Sequence, residues 1–199
     1  MKAAAIILSG GQSSRMGTNK ALLPINEKTN IERIRDSMGP HFDDLVLVTN
    51  DPKAYEFLGI KMTEDHYPGM GPLAGLHAGL LASEYDVNLM VACDMPFVSG
   101  ELARELVCMI GEYDAVIPVI NGIQHPLFAV FKKSSAKVAA TCIEAGNLRM
   151  KQLLDRLNVL YLTENELSVF KQFDLERVFF NMNHPNEYED AKKWAKEGR

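Results

Sequence analysis

Residues 3–20 read AAAIILSGGQSSRMGTNK, and the first six of them form an uninterrupted apolar run. A run of this kind predicts a strand that is buried on both faces. The paired glycines that follow let backbone N–H groups turn toward a ligand and form an anion-binding concavity. Arg15 and Lys20 add a guanidinium and an ammonium group, both of which bind phosphate oxygens. The stretch therefore predicts a buried strand whose carboxyl end carries a turn that cradles a nucleotide phosphate.

Two common phosphate-binding motifs do not fit this turn. A P-loop requires a hydroxyl residue directly after its lysine and a Gly-Lys pair, whereas Gly17 and Lys20 are separated by two residues. The dinucleotide fingerprint requires the spacing Gly-x-Gly-x-x-Gly, which the adjacent pair Gly10-Gly11 lacks. A plain strand-to-helix turn would need neither cation. The turn is therefore predicted to bind phosphate through a motif other than the P-loop or the dinucleotide fingerprint.

Short apolar runs alternate with segments of helical periodicity along the rest of the chain. This alternation indicates βαβ units and a mostly parallel sheet between two helical layers, a three-layer αβα Rossmann-like fold. No repeat or linker interrupts it, which predicts a single domain over residues 1–199. The predicted strands are Ala3–Leu8, Leu45–Thr49, Lys61–Thr63, Asn88–Ala92, Ala115–Val119, Leu127–Phe131 and Asn158–Leu162. The predicted helices are Ile31–Met38, Leu73–Ala82, Ser99–Ile110, Ala136–Ala145 and Arg149–Leu157. Asn121-Gly122 predicts a hairpin that joins the fifth and sixth of these strands as an antiparallel pair.

Composition excludes several classes of protein. The chain has 199 residues, 47% of them hydrophobic, and a formal net charge of −5, without the basic face of a nucleic-acid binder. The three cysteines fit neither a disulfide framework nor a Cys-x-x-Cys metal site. No apolar stretch approaches the length of a membrane span or a signal sequence. We therefore expect a cytoplasmic enzyme that acts on small phosphorylated molecules, with no membrane or nucleic-acid partner.

A carboxylate follows the predicted strand Asn88–Ala92, in the sequence Cys93-Asp94-Met95-Pro96. Ligands of open α/β sheets bind beyond the carboxyl ends of the strands, where Asp94 would point into the crevice. Mg²⁺ is usually held by one or two carboxylates together with substrate phosphates. Ser99 is better placed than Asp94 to cap the next helix. We therefore predict that Asp94 is a magnesium ligand.

Residues Gly10–Lys20 match the pattern Gly-Gly-x-Ser-x-Arg-Met-Gly-x-x-Lys, which resembles the signature of MobA-like nucleotidyltransferases, and most of all the molybdenum cofactor guanylyltransferases. The segment Cys-Asp-x-Pro at residues 93–96 is similar to the same family. The resemblance implies that Asp94 binds Mg²⁺. It also implies that the backbone of Leu8, Ser9 and Gly10 contacts base or ribose, that Gly11, Ser13 and Arg15 contact phosphates, and that Lys20 contacts the α-phosphate or the leaving group.

The segment from Glu64 to Gly75, EDHYPGMGPLAG, also resembles this family. The resemblance implies that Asp65 contacts the nucleotide and that Gly71 and Gly75 line its base and ribose pocket. A carboxylate can accept hydrogen bonds from the N1 and N2 hydrogens of guanine. His66 is expected to be a solvent-facing loop residue rather than a general base. Asn50 is a further nucleotide-contact candidate, and Val48 is the alternative for that position.

The C-terminal half carries three segments that resemble the family's acceptor side. Asn181 and Asn183 belong to an Asn-x-Asn-x-Pro run, whose alternate side chains are predicted to point the same way. His125-Pro126 and Gly146-x-x-Arg149 resemble segments of the pterin-binding region. Helix capping and turn formation before Pro185 are the alternative roles for the two asparagines.

The resemblance implies transfer of GMP from Mg²⁺·GTP to the terminal phosphate of the molybdopterin cofactor. Transient contact with proteins that make or receive this cofactor is also expected. Three alternatives stay open on sequence: a cytidylyltransferase acting on the same cofactor, a transferase with a sugar-phosphate acceptor, and a GTP-binding protein without turnover.

Overall fold

A computed structural model describes residues 1–9, 19–167 and 173–197 of the chain. Within these ranges a mixed sheet lies between two layers of helices, and two short 3₁₀ segments, Lys20–Leu22 and Pro52–Leu58, connect its elements. The strands are β1 (Ala4–Leu8), β2 (Pro24–Ile25), β3 (Lys28–Thr29), β4 (Asp44–Val48), β5 (Lys61–Thr63), β6 (Val87–Ala92), β7 (Ala115–Ile120), β8 (Ile123–Gln124), β9 (Phe128–Lys132) and β10 (Val159–Thr163). The helices are α1 (Asn30–Met38), α2 (Pro72–Ala82), α3 (Gly100–Cys108), α4 (Ser135–Glu144), α5 (Met150–Leu154), α6 (Glu164–Leu167), α7 (Leu175–Val178) and α8 (Pro185–Lys196).

The sheet has the strand order β10-β7-β9-β6-β1-β4-β5, with β8 attached to β7. Strand β1 lies between β4 and β6 and runs parallel to both. Strand β9 is inserted antiparallel between β6 and β7. The predicted three-layer fold with a mostly parallel sheet is confirmed. Because β1, β4 and β6 are neighbours and parallel, their carboxyl ends meet on one rim.

Strand β1 is buried on both faces, as its continuous apolar run predicts. Ala5 and Ile7 pack into the core cluster that contains α1 and α3, whereas Ile6 and Leu8 pack into the cluster that contains α2 and α4. Helix α2 approaches the sheet so closely that a Cβ at Gly79 would lie 2.3 Å from Cγ2 of Ile6. A glycine is therefore required there for the helix to pack against the strand.

The predicted hairpin at Asn121-Gly122 is present, but it joins β7 to the short strand β8. Both residues have positive φ, 52° and 74°, as a two-residue hairpin turn requires. The predicted antiparallel partner, β9, pairs with the start of β7, while β8 pairs with its end. The break between β8 and β9 falls at His125–Leu127.

A smaller apolar cluster joins the N-terminal hairpin β2–β3 to α8. Its buried members are Ile25, Met182 and Ala191, with Phe97 and Phe180 packed against them. Strands of two residues carry no periodic signal, so this hairpin was not predicted. Among the described residues, none of the helices has the length and apolar character needed to cross a bilayer.

Candidate active site

Hydrogen bonds join the carboxyl ends of β1, β4 and β6 at the rim of the sheet. Ser9 donates from its backbone N–H and its hydroxyl to the carbonyl of Val48, at 3.2 and 3.0 Å. Cys93 donates its backbone N–H to the carbonyl of Leu8 at 3.0 Å. The start of the glycine turn and the residue before Asp94 are thus held side by side.

A cleft of about 650 Å³ opens on this rim, a volume suited to a nucleotide. Five residues proposed from the sequence line it: Leu8, Ser9, Asp65, Gly71 and Gly75. Asn50, the further nucleotide-contact candidate, and Val48, the alternative to it, also line the cleft. The other lining residues are Asn19, Thr49, Asp51, Tyr55, Gly69 and Pro72. We call this space the nucleotide cleft.

Asp65 is oriented in the nucleotide cleft by its neighbours. Its backbone N–H donates to Oδ1 of Asn50 at 3.0 Å, and its own Oδ1 accepts the N–H of Tyr67 at 2.8 Å. Among the described residues, none donates a hydrogen bond to Oδ2. Oδ1 of Asp65 therefore holds the loop, while Oδ2 is available to a ligand. Asn50 helps to position Asp65 by accepting its backbone N–H.

Gly71 and Gly75 line the nucleotide cleft, and the structure favours a glycine at each for a different reason. Gly71 has φ of +76° and precedes α2, whose first residue is Pro72 as predicted. A Cβ at Gly75 would lie 3.1 Å from Cδ2 of Leu8, across the floor of the nucleotide cleft. Gly71 thus supplies a positive φ at the start of α2, and Gly75 leaves room for the Leu8 side chain beside the helix.

Tyr55 is a site residue that the sequence did not indicate. It is 2% exposed, and its hydroxyl accepts a hydrogen bond from Nδ2 of Asn19 at 2.8 Å. The Oδ1 atom of Asn19 accepts the N–H of Ala21 at 3.1 Å, which caps the 3₁₀ segment that begins at Lys20. Burial raises the pKa of Tyr55 despite its hydrogen bonds with Asn19 and Ser9, so the phenol stays neutral. Tyr55 therefore positions the backbone around Lys20.

We expect Tyr55→Phe to lower kcat/KM for nucleotidyl transfer about fivefold, because the lost hydrogen bond contributes about 1 kcal/mol to holding Asn19. Steady-state kinetics measures the effect. Tyr113→Phe, which removes a hydroxyl from a more exposed tyrosine, is the matched control and should behave as wild type. Equal kcat/KM for the two variants would contradict the positioning role of Tyr55.

Lys20 joins the N-terminal and C-terminal halves of the chain. Its Nζ donates to Oδ1 of Asn183 at 3.1 Å, a contact between residues 163 positions apart. The backbone N–H of Met182, which precedes Asn183, donates to the carbonyl of Asp94 at 2.8 Å. The lysine, the acid and the Asn-x-Asn-x-Pro segment thus form one group of neighbouring residues.

Asp94 is a half-buried carboxylate that no other described residue stabilises by a hydrogen bond. Burial raises its pKa, the positive charge of Lys20 opposes that rise, and the negative charge of Glu187 adds to it. Glu187 itself accepts the backbone N–H groups of Asn183 and His184 at the start of α8. A buried acid with this balance of charge is stabilised by an added cation.

The protein supplies few ligands for a metal on its own. Among the described residues, no three His, Cys, Asp or Glu side chains cluster as a metal site. This donor set fits Mg²⁺ that reaches the site with substrate phosphates, because such an ion needs one or two protein carboxylates. Cys93 is not a nucleophile, since burial and the charge of Asp94 raise its pKa to about 12.

The two asparagines of the C-terminal segment have different partners. Asn183 contacts Lys20, whereas Nδ2 of Asn181 donates to the carbonyl of Phe179 at 3.2 Å. The ring of Phe179 packs against His125, with centroids 4.7 Å apart, and burial lowers the pKa of that histidine. Asn181 and His125 thus both meet Phe179, which links two of the three predicted acceptor segments.

Two of the remaining candidates, Arg149 and His66, are exposed to solvent. Arg149 is exposed where α5 begins, with its backbone N–H bonded to Oε1 of Gln152. His66 is exposed as predicted, and its ring meets that of His77 edge-on at 5.7 Å. Gly10, predicted to contact base or ribose, and Gly11, Ser13 and Arg15, predicted to bind phosphates, lie outside the described residues.

Comparisons with known proteins identify the family of the chain. Residues 5–161 match the family described as MobA-like NTP transferase domain. A relative from Peptoclostridium acidaminophilum, named "Probable molybdenum cofactor guanylyltransferase", is 38% identical over 90% of this chain and 83% of its own length. One of the same name from Pelotomaculum thermopropionicum is 32% identical over 100% of this chain and 96% of its own.

A solved structure extends the similarity to the whole fold. The molybdopterin-guanine dinucleotide biosynthesis protein A from Archaeoglobus fulgidus superposes with a TM-score of 0.84 at 29% identity, covering 98% of this chain and 99% of its own. The family match covers most of the chain, including the rim on which the nucleotide cleft opens. The chain therefore belongs to the MobA-like NTP transferase family, and both of these relatives are named probable molybdenum cofactor guanylyltransferases.

Proposed function

We propose that the protein transfers GMP from GTP to the terminal phosphate of the molybdopterin cofactor, giving molybdopterin guanine dinucleotide and pyrophosphate. The observation that carries the proposal is the 3.1 Å contact between Lys20 and Asn183, beside Asp94. It joins the residue that ends the phosphate-binding turn to the segment proposed for the acceptor. A protein that only bound GTP would not need this junction. The names of the relatives support the choice of substrates.

The chemistry asks the protein mainly for positioning and for neutralisation of charge. A phosphate oxygen of the pterin attacks the α-phosphorus of GTP, the new P–O bond forms, and the bond from the α-phosphorus to the bridging oxygen breaks. Pyrophosphate leaves with that electron pair. The attacking phosphate is already anionic near pH 7, so no side chain is needed as a general base. The barrier arises because two polyanions meet, with a repulsion of about 4 kcal/mol for two unit charges 4 Å apart at an effective dielectric constant of 20.

The chain's own residues divide this task. Lys20 places a positive charge beside the reacting phosphates, and Asn183 holds its ammonium group in place. Asp94 would hold Mg²⁺, which when bound neutralises phosphate charge and aligns the triphosphate. Gly11, Ser13 and Arg15 are proposed to bind the remaining phosphate oxygens, and the backbone of Gly10 is proposed to contact base or ribose.

Base recognition is assigned to the nucleotide cleft. Oδ2 of Asp65 is available there to accept from the N1 and N2 hydrogens of guanine. Leu8, Ser9, Gly71 and Gly75 form the walls against which base and ribose pack. The N3 position of cytosine and the N1 position of adenine carry no hydrogen, so the same carboxylate would face an acceptor in CTP or ATP. The cleft is therefore expected to favour guanine.

The proposal is tested by measuring pyrophosphate release with Mg²⁺, the pterin cofactor and GTP, CTP, ATP or UTP in turn, with the product identified by mass. Release with GTP that depends on both Mg²⁺ and the cofactor is expected. Preferential use of CTP would make the protein a cytidylyltransferase. GTP binding without release would make it a binding protein.

A further inference from the structure

A second cleft, of about 450 Å³, lies between α1 and the loop that follows β6. None of its lining residues also lines the nucleotide cleft. Its lining includes Arg33 from α1, Phe97 from the loop after β6 and Arg177 from α7. We call it the arginine cleft. Its volume lies within the range typical of small-molecule sites.

Both guanidinium groups lie over the same aromatic ring. The Cζ atom of Arg177 is 4.7 Å from the ring centroid of Phe97, and that of Arg33 is 5.8 Å away. Phe97 is held in turn by Phe180 and Trp194, at centroid distances of 6.2 and 5.9 Å. The ring thus presents two planar cations in a fixed arrangement.

Neither arginine has a carboxylate partner among the described residues. The acid of the cleft, Asp36, is engaged elsewhere, by Lys28 at 2.6 Å and by Arg35 at 2.7 Å. Within the described residues, the guanidinium group of Arg177 donates only to the backbone carbonyl of Trp194, at 3.1 Å. The Nε atom of Arg33 is buried and has no hydrogen-bond partner within the described residues. A buried donor without a partner is costly and usually has a specific reason.

The two charges also act on each other. Burial lowers the pKa of Arg33, and the positive charge of Arg177 lowers it further. Two half-buried like charges repel each other, and no carboxylate of the described residues lies within ion-pair distance of either guanidinium group. An anion that accepts hydrogen bonds from both guanidinium groups removes this repulsion.

We infer that the arginine cleft binds a phosphate group, carried by a small molecule, between Arg33 and Arg177. Two guanidinium groups balance the charge of a phosphate dianion, while Asp36 is already balanced by its own partners. A phosphate offers three acceptor oxygens and a double negative charge to two planar guanidinium groups, whereas a carboxylate offers two oxygens and one charge. The volume of the cleft leaves room for more than the phosphate group itself. The inference does not depend on the proposed function, because binding can be measured without turnover.

The chain provides its own reporter for this site. Trp194 is the only tryptophan in the sequence, it packs against Phe97, and its carbonyl accepts from Arg177. We expect inorganic phosphate, titrated at constant ionic strength, to change Trp194 emission in a saturable way. The same titration with saturating Mg²⁺·GTP should give the same apparent Kd, since the nucleotide occupies the other cleft. Pyrophosphate and malonate titrations distinguish a larger phosphate ligand from a dicarboxylate.

Variants separate the cleft from general charge effects. Arg33→Gln and Arg177→Gln should each raise the apparent Kd for phosphate about tenfold or more. Arg156→Gln, at an exposed arginine outside the cleft, should leave it unchanged. Calorimetry repeats the measurement for Arg177→Gln, whose substitution can alter the emission directly, and circular dichroism checks the fold of each variant.

Four outcomes would overturn the inference. They are no saturable response to phosphate or pyrophosphate, a phosphate Kd unchanged in both arginine variants, loss of the response when Mg²⁺·GTP is present, and malonate binding as tight as phosphate. Tighter binding of pyrophosphate than of phosphate supports the inference and identifies a ligand with more than one phosphate group.

Discussion

Asp94→Ala is expected to lower kcat for guanylyl transfer by about 10³-fold or more while leaving the protein folded, since metal-assisted charge neutralisation contributes several kcal/mol to the barrier. The backbone hydrogen bond from Met182 to the carbonyl of residue 94 does not involve the side chain and remains. No described residue loses a hydrogen-bond partner when the carboxylate is removed, and the cost of burying it disappears. The melting temperature should therefore not fall.

The measurement is pyrophosphate release at saturating Mg²⁺ and GTP, together with a thermal melt followed by circular dichroism. Asp155→Ala is the matched control, because Asp155 is exposed beyond the end of α5 and lines neither cleft. Asp155→Ala should retain wild-type activity. Near-normal transfer by a folded Asp94→Ala variant would remove the metal assignment.

Lys20→Ala is expected to lower kcat/KM by about 10²–10³-fold, the usual effect of losing one preorganised group that stabilises transition-state charge. The ammonium group is held by Asn183 at 3.1 Å, so it meets the phosphates without further ordering. If Lys20 acts mainly on the transition state, kcat should fall more than KM rises. The loss of its charge should also raise the pKa of Asp94 further.

Full steady-state kinetics in GTP and in the pterin cofactor checks this expectation. Lys137→Ala, at an exposed lysine on α4, controls for the loss of one positive charge from an acidic protein. An unchanged kcat/KM in Lys20→Ala would show that the lysine has only the structural role of pairing with Asn183.

Local signals in the sequence predicted much of the fold. The apolar run of β1, the strand Lys61–Thr63, Pro72 at the start of α2 and the Ser99 cap of α3 are all confirmed. Each depends on residues close together in the chain, where burial pattern, φ restriction or capping acts directly. The place of β9 between β6 and β7 depends instead on which strands are neighbours, and no local pattern encodes that order.

In the candidate site, too, some features follow from local sequence rules and others depend on the tertiary arrangement. Leu8, Ser9, Asp65, Gly71 and Gly75 come together because the carboxyl ends of parallel strands share a rim, a rule that applies from sequence. The contact of Lys20 with Asn183 is tertiary and spans 163 positions, so only the family resemblance suggested that their segments meet. Tyr55 gave no signal, since its hydroxyl acts through Asn19, 36 residues earlier.

The alternation of side chains along an extended segment does not predict the hydrogen-bond partners of Asn181 and Asn183. Alternate residues of an extended segment face the same side, which predicted that Asn181 and Asn183 point together. In the structure Asn181 donates to the carbonyl of Phe179, two residues earlier, whereas Asn183 accepts from Lys20, so the two side chains have different partners. Local side-chain to backbone hydrogen bonds of this kind compete with extended geometry, and asparagine is prone to form them.

The central claim is that Asp94, Lys20 and the nucleotide cleft bind one metal-bound nucleotide at the same edge of the sheet. Its most direct test is a crystal structure with Mn²⁺ in place of Mg²⁺ and a GTP analogue that carries a methylene group between its α- and β-phosphorus atoms. We predict an anomalous peak about 2.1 Å from a carboxylate oxygen of Asp94, with the triphosphate between that ion and Nζ of Lys20. The guanine should lie in the nucleotide cleft against Asp65. A metal and triphosphate bound elsewhere, with the Asp94 carboxylate outside coordination distance, would contradict this arrangement.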